Sequence, residues 1–172
     1  MGSPTTPESE RVYPVDEAIR RLGEFAVIGL GISGRCYNYE LLAILPDVVE
    51  PFVPLSPLLD VIWNNASASR MSHLECRYEE ARERWRAALT HLDQLPNTAE
   101  THYVTAMGNA IAFATGLMEA QLGLPSAADW AERLDQDRFQ RVSAISLRKL
   151  VRLEQGDAEG AEKLRRQGEV LA

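Results

Sequence analysis

From residue 56 onward the apolar positions recur every three or four residues, and no run alternates with the period of a strand between turn signals. Ser56-Pro57 opens the first segment with a capping hydroxyl followed by proline in the first turn, and the helix extends through LLDVIWNNASASRMSHLE. Segment 78–92, YEEARERWRAALTHL, places Ala81, Trp85, Ala88, Leu89 and Leu92 on one face and its charges on the other, and Pro96 ends it. Segment 99–122 is long and mostly apolar. Its Ala, Gly and Thr content predicts close packing on both sides, and Gly123-Leu-Pro125 breaks it. A short helix over 126–134 follows with Ser126 as its cap. Another spans 137–154 and stops at Gly156, and the last spans 157–171 with Asp157 as its cap. The pattern predicts an all-α fold of antiparallel helix pairs joined by short Gly/Pro turns.

The N-terminal third has two readings. Segment 25–35, FAVIGLGISGR, carries Gly29-x-Gly31-x-x-Gly34, the glycine pattern of a dinucleotide-binding turn. In that reading GEFAVIG is a strand and CYNYELLAIL a helix. Asp47-Val-Val-Glu50 is then a second strand, with Glu50 reaching a ribose hydroxyl. Against it, no further strand is predicted after residue 55 to bury the first. The segment also continues directly from the helical pattern VDEAIRRL. Read as one helix over 16–33, it repeats small residues at Ala18, Gly23, Ala26, Gly29 and Ser33, which lets a neighbouring helix approach closely. Each glycine in such a helix costs up to about 1 kcal/mol relative to alanine. The packing reading is preferred, and the dinucleotide site at Gly29, Gly31, Gly34 and Glu50 is the alternative.

Composition narrows the class. The chain has 172 residues, 45% of them apolar and 25% charged, as in a single soluble domain with a real core. Residues 1–13 read as a disordered lead or expression remnant, and 14–172 as one helical domain. No stretch is long and apolar enough for a membrane span, and no signal peptide is predicted. The two cysteines, Cys36 and Cys76, make no disulfide framework, so a cytoplasmic setting is expected. The net charge of −7 disfavours a nucleic-acid partner. The charge is uneven: residues 136–172 hold eight Lys/Arg against six Asp/Glu (+2), and the remainder ten against nineteen (−9). That asymmetry suggests solvated helix faces, end-to-end docking or an acidic partner.

Reactive constellations are thin. His73-Leu-Glu75-Cys76 starts like a zinc deaminase signature, but no Pro-Cys-x-x-Cys follows it. Cys36, His91 and His102 match no metal-ligand spacing. Gly31-Ile-Ser33-Gly34 misses the nucleophile-elbow spacing, and no phosphate loop is present. Glu79-Glu80 read as solvated acids. Arg138, Arg141, Arg148 and Arg152, with Lys149, form a basic stripe at helical spacing near a helix C-terminus. No catalytic residue, metal or cofactor is expected.

A local pattern recurs three times: a turn, then a small residue five positions on, then a helix. Cys76…Ala81, Gly123…Ala128 and Gly156…Ala161 line up, and the last two alanines lie 33 apart (161 − 128). CRYEEARERWRAALTHLDQLP and GDAEGAEKLRRQGEVLA each read as the second half of a helical repeat, and Gly116 falls twelve residues before Ala128, where the family these segments resemble places a small residue for a helix crossing. Over 57–172 the chain resembles the tetratricopeptide repeat family, and more loosely the helical-repeat regions of large bacterial signalling kinases and ATPase-type regulators. The family's first-helix Trp position falls on Asn65, Ala112 and Ile145, and its Tyr position on Ser72, Glu119 and Arg152. The resemblance implies an α-solenoid over 57–172, preceded by atypical helices over 14–55. It also implies a non-catalytic scaffolding role, with a peptide or protein partner in a concave groove. The groove would be lined by the first helix of each pair: Trp63, Arg70 and His73, then Phe113 and Gln121, then Ser146. Homo-oligomers through helix faces are a further expectation.

Overall fold

The computed structural model describes residues 17, 18, 21, 39–95 and 101–171, and among them the regular structure is helical, with no strand. Seven α-helices follow one another: α1 (Tyr39–Val49), α2 (Pro57–His73), α3 (Tyr78–Asp93), α4 (Thr101–Gln121), α5 (Ala127–Asp135), α6 (Arg141–Glu154) and α7 (Ala158–Leu171). A 3-10 segment, Glu50–Leu55, joins α1 to α2, and another, Arg138–Gln140, leads into α6. Glu17, Ala18 and Arg21 are also helical, as the one-helix reading of 16–33 predicts for those positions. Gly29, Gly31 and Gly34 lie outside the described residues, as do 1–13.

Helix ends follow the capping chemistry of the sequence. Ser56 Oγ accepts from the Leu58 amide at 3.2 Å, ahead of Pro57. Asp157 Oδ1 accepts from the Gly160 amide at 2.8 Å at the start of α7. Among the described residues positive φ occurs at Cys76 (55°), Gly123 (68°) and Gly156 (77°), the three turn positions that align in the sequence. At Gly123 the chain closes α4 with two bonds: Gly123 N–H to the Ala120 carbonyl and Leu124 N–H to the Glu119 carbonyl, each 2.9 Å. Glycine reaches this left-handed conformation without a Cβ clash, whereas Cys76 holds it at a cost.

Four local expectations are corrected. Ser126 does not cap α5 with its side chain; its hydroxyl turns to Glu119 instead. The segment 137–154 is not one helix. Asp137 accepts from the Phe139 amide at 2.9 Å, which holds a 3-10 turn before α6 begins at Arg141. Ala128 is exposed, unlike its aligned partners Ala81 and Ala161, because Pro125 and Ser126 delay the start of α5; Ala127 and Ala131 are the buried alanines there. Asp47-Val48-Val49 belongs to α1 and Glu50 to the following 3-10 turn, so no second strand exists for the dinucleotide reading.

Each helix packs on its neighbour in the chain, and α4 also meets α6. One continuous core results, built on Leu45, Val49, Leu59, Ile62, Ile111, Leu134 and Leu147. Burying each such side chain is worth about 1.5–3 kcal/mol. The predicted face of α3 is the buried one: Ala81, Trp85, Ala88, Leu89 and Leu92. Gly116 on α4 is where three helices close on one another. A Cβ there would stand 2.4 Å from Leu147 Cδ2 of α6 and 2.9 Å from Trp130 Cβ of α5.

Candidate functional site

The groove residues expected from the sequence fall on the first helices of the pairs, but two of them are engaged within the chain. On α2, Trp63 is half-buried against the core and carries the Arg84 guanidinium over its ring at 4.5 Å. Arg70 Nη1 donates to Asp47 Oδ1 at 2.8 Å and to the Ala43 carbonyl at 3.2 Å, tying α2 to α1. Its Nε lies 3.3 Å from Glu75 Oε1. His73 is exposed at the end of α2. On α4, Phe113 packs half-buried on the core and Gln121 is exposed. Ser146 is half-buried on α6.

A buried carboxylate, to which the sequence pattern assigns no role, organises the middle of the molecule. Glu119 on α4 has no exposed surface. Its Oε1 accepts from Arg86 Nη2 at 2.6 Å and Arg86 Nε at 2.7 Å, a two-pronged contact from α3. Its Oε2 accepts from Ser126 Oγ at 2.6 Å and from Trp130 Nε1 at 2.8 Å. Arg82 Nε stands 4.0 Å away. A buried charge is tolerated only when its oxygens are paired and hydrogen-bonded, and here both are. The sequence signal is faint: Glu119 is the one acid within the mostly apolar stretch 101–121.

A similar contact joins α2 to α3: Asn65 Oδ1 accepts from Trp85 Nε1 at 3.0 Å. In both places an indole N–H on one helix donates to a polar acceptor on the helix before it.

Two clefts flank these helices. One, about 380 Å³, lies beside the Glu119 cluster between α3 and α5, with Leu89, Trp130, Arg86 and Arg133 in its walls. Arg133 lies over the Trp130 ring at 5.7 Å and 3.6 Å from Asp93. The other, about 590 Å³, runs among α5, α6 and α7 past Glu132, Arg148, Val151, Arg152 and Leu164. Arg148 pairs with Asp135 at 2.9 Å and Arg152 with Asp157 at 3.4 Å, so the basic stripe read from the sequence is split. Arg138 instead lies over Phe139 at 4.5 Å, and Arg141 is exposed.

The remaining candidates for chemistry are structural or superficial. His91 Nδ1 meets Asp60 Oδ2 and ties α3 to α2. Exposed Cys76 hydrogen-bonds the Tyr78 side chain and pushes its phenol above the ordinary range. Arg77 bonds Glu80 and Glu75, which raises the guanidinium further and holds the Glu80 carboxyl below its usual range. Among the described residues no cluster of three metal-ligating side chains occurs, and no helix is long and apolar enough to cross a membrane. No protein-family model matches the chain, and neither a curated protein nor a solved structure matches it.

Proposed function

We propose that this chain is a non-catalytic protein-interaction module of stacked antiparallel helix pairs, α2–α3, α4–α5 and α6–α7, of the tetratricopeptide-like design its sequence resembles. Antiparallel pairing is supported by side-chain partners: Asp60 near the start of α2 meets His91 near the end of α3, while Asn64 and Asn65 further along α2 meet Arg84 and Trp85 further back on α3. The observation that carries the reading is the packing order. Helices pack on chain neighbours, and α4 and α6, first helices of the second and third pairs, also touch, whereas α2 and α4 make no comparable contact. Hairpins that stack in this way bury one another's apolar faces and leave the first helices lining a shared concave side.

In this reading the groove floor is apolar at Trp63 and Phe113. His73 and Gln121 stand exposed at its rim, and Arg70 is oriented by Asp47. The occupant is a peptide or a protein surface, and no cofactor is assigned. A random peptide library selected against the full chain tests this. The expected result is a convergent motif whose binding drops at least tenfold in His73→Ala and Gln121→Ala, and not in Lys163→Ala on α7. Failure to converge, or binding indifferent to the rim substitutions, contradicts it.

A further inference from the structure

Two exposed apolar ridges occur, one on α1 and one on α6, and the charges beside them differ in sign. The first belongs to α1, which packs on α2 and the 3-10 turn. Ile44 and Val48, one helical turn apart, are 55% and 44% exposed on the side away from buried Leu42, Leu45 and Val49. Phe52 and Leu55 follow at 40% and 56%, three residues apart and therefore on one side of the 3-10 turn. Exposed Glu40 and Glu50 flank this ridge, while Asp47 is taken by Arg70.

The second ridge belongs to α6 and the turn before it. Phe139, Val142, Ser146, Lys149 and Leu153 recur at alternating intervals of three and four, the spacing of a helix-pairing seam. Phe139, Val142 and Leu153 are 75%, 40% and 49% exposed. Arg138, Arg141 and half-buried Lys149 outnumber exposed Glu154 beside it, while Arg148 and Arg152 are taken by Asp135 and Asp157.

We propose that the chain associates head to tail with a second copy of itself, the acidic α1 ridge of one copy lying on the basic α6 ridge of the next. Charge decides the occupant. Two α1 ridges would bring Glu40 and Glu50 against their own kind, and two α6 ridges would oppose Arg138 and Arg141, so a symmetric dimer through either face is disfavoured. The mixed pairing aligns opposite signs around two apolar seams. Such a contact is heterologous and leaves one free ridge at each end, so assembly continues into chains. A stable interface buries about 800 Å² on each partner, and a single helix-on-helix seam supplies less, so the association is weak and salt-sensitive.

The test is sedimentation equilibrium of the full chain over a concentration series at low and high salt, with two variants. One is Ile44→Ser/Val48→Ser and the other Val142→Ser/Leu153→Ser, all at exposed positions, with circular dichroism checking the fold. For the unaltered chain, the expected mass rises from 19.2 kDa with concentration. The association constant falls about tenfold or more from low to high salt. Each variant alone stays monomeric, and the two mixed form a 1:1 pair that grows no further, since each keeps one working ridge. A chain monomeric throughout, association indifferent to salt, or a variant that still self-associates overturns the proposal.

Discussion

The indole N–H of Trp130 on α5 donates to Oε2 of Glu119 on α4 across 2.8 Å, while Arg86 of α3 grips the other oxygen. Three helices thus converge on one carboxylate without exposed surface. Removing it strands the Trp130 N–H and frees Arg86, which is 42% exposed and regains water readily. Glu119→Ala is expected to lose about 3 kcal/mol in urea unfolding, the low end for breaking a buried pair. Glu119→Gln, which keeps an acceptor, is expected to lose about 1–2 kcal/mol. A loss below about 0.5 kcal/mol for the alanine variant would show that the cluster does not hold the helices together.

Gly116 makes a separate prediction, because helix propensity and packing oppose each other there. Alanine gains up to about 1 kcal/mol as a helix former. Its methyl would stand 2.9 Å from Trp130 Cβ, which cannot swing aside, and 2.4 Å from the Leu147 terminus in a filled core. Overpacking of this kind costs about 1–3 kcal/mol. Gly116→Ala is expected to lower the melting temperature, and Gly116→Leu to do so far more.

Cys76 and Gly156 share a turn conformation with opposite residue types. At Gly156 no atom lies within 4 Å of a built Cβ, so Gly156→Ala reports backbone strain alone. It should cost about 1 kcal/mol. Cys76→Gly relieves the strain already present but gives up the exposed contact with Tyr78, and should stabilise by less than about 1 kcal/mol. Opposite shifts in urea midpoint check both.

Glu162 on α7 gives the pH prediction. Hydrogen bonds from Arg165, then from Arg166, lower its carboxyl from 4.5 to about 2. A folded-state value below the unfolded one means the contribution is present above 4.5 and is lost as pH falls toward about 2. The pair is open to solvent, so added salt weakens the effect. A side-chain carbon NMR titration is expected to show a midpoint well below the ordinary range, moving up in Arg165→Gln/Arg166→Gln. An ordinary midpoint in the unaltered chain would contradict the ion pairs of α7.

Local chemistry made the helices legible from the sequence. Ser56-Pro57, the apolar face of 78–92, Gly123, Gly156 and Asp157 each act within a turn of where they stand, and each is found in its expected place. Ser126 was misread because a hydroxyl before a helix can serve two masters, and the buried Glu119 seven residues back is the stronger acceptor. Repeat position alone assigns Trp63 and Arg70 to the groove and shows nothing of what else they touch. Their partners, Arg84 and Asp47, lie on other helices and carry no periodic signal. The Glu119 cluster was hidden for the same reason, since its donors are spread over 86–130 and meet only after three helices pack.

The most direct test of the interaction-module account is amide NMR mapping on the full chain, titrated first with a library-selected peptide and then with NAD(P). The account predicts peptide-induced shifts along α2 and α4 around His73 and Gln121, and none with the nucleotide. Shifts at Gly29, Gly31 and Gly34 on adding NAD(P), with α2 and α4 silent to peptide, would contradict it.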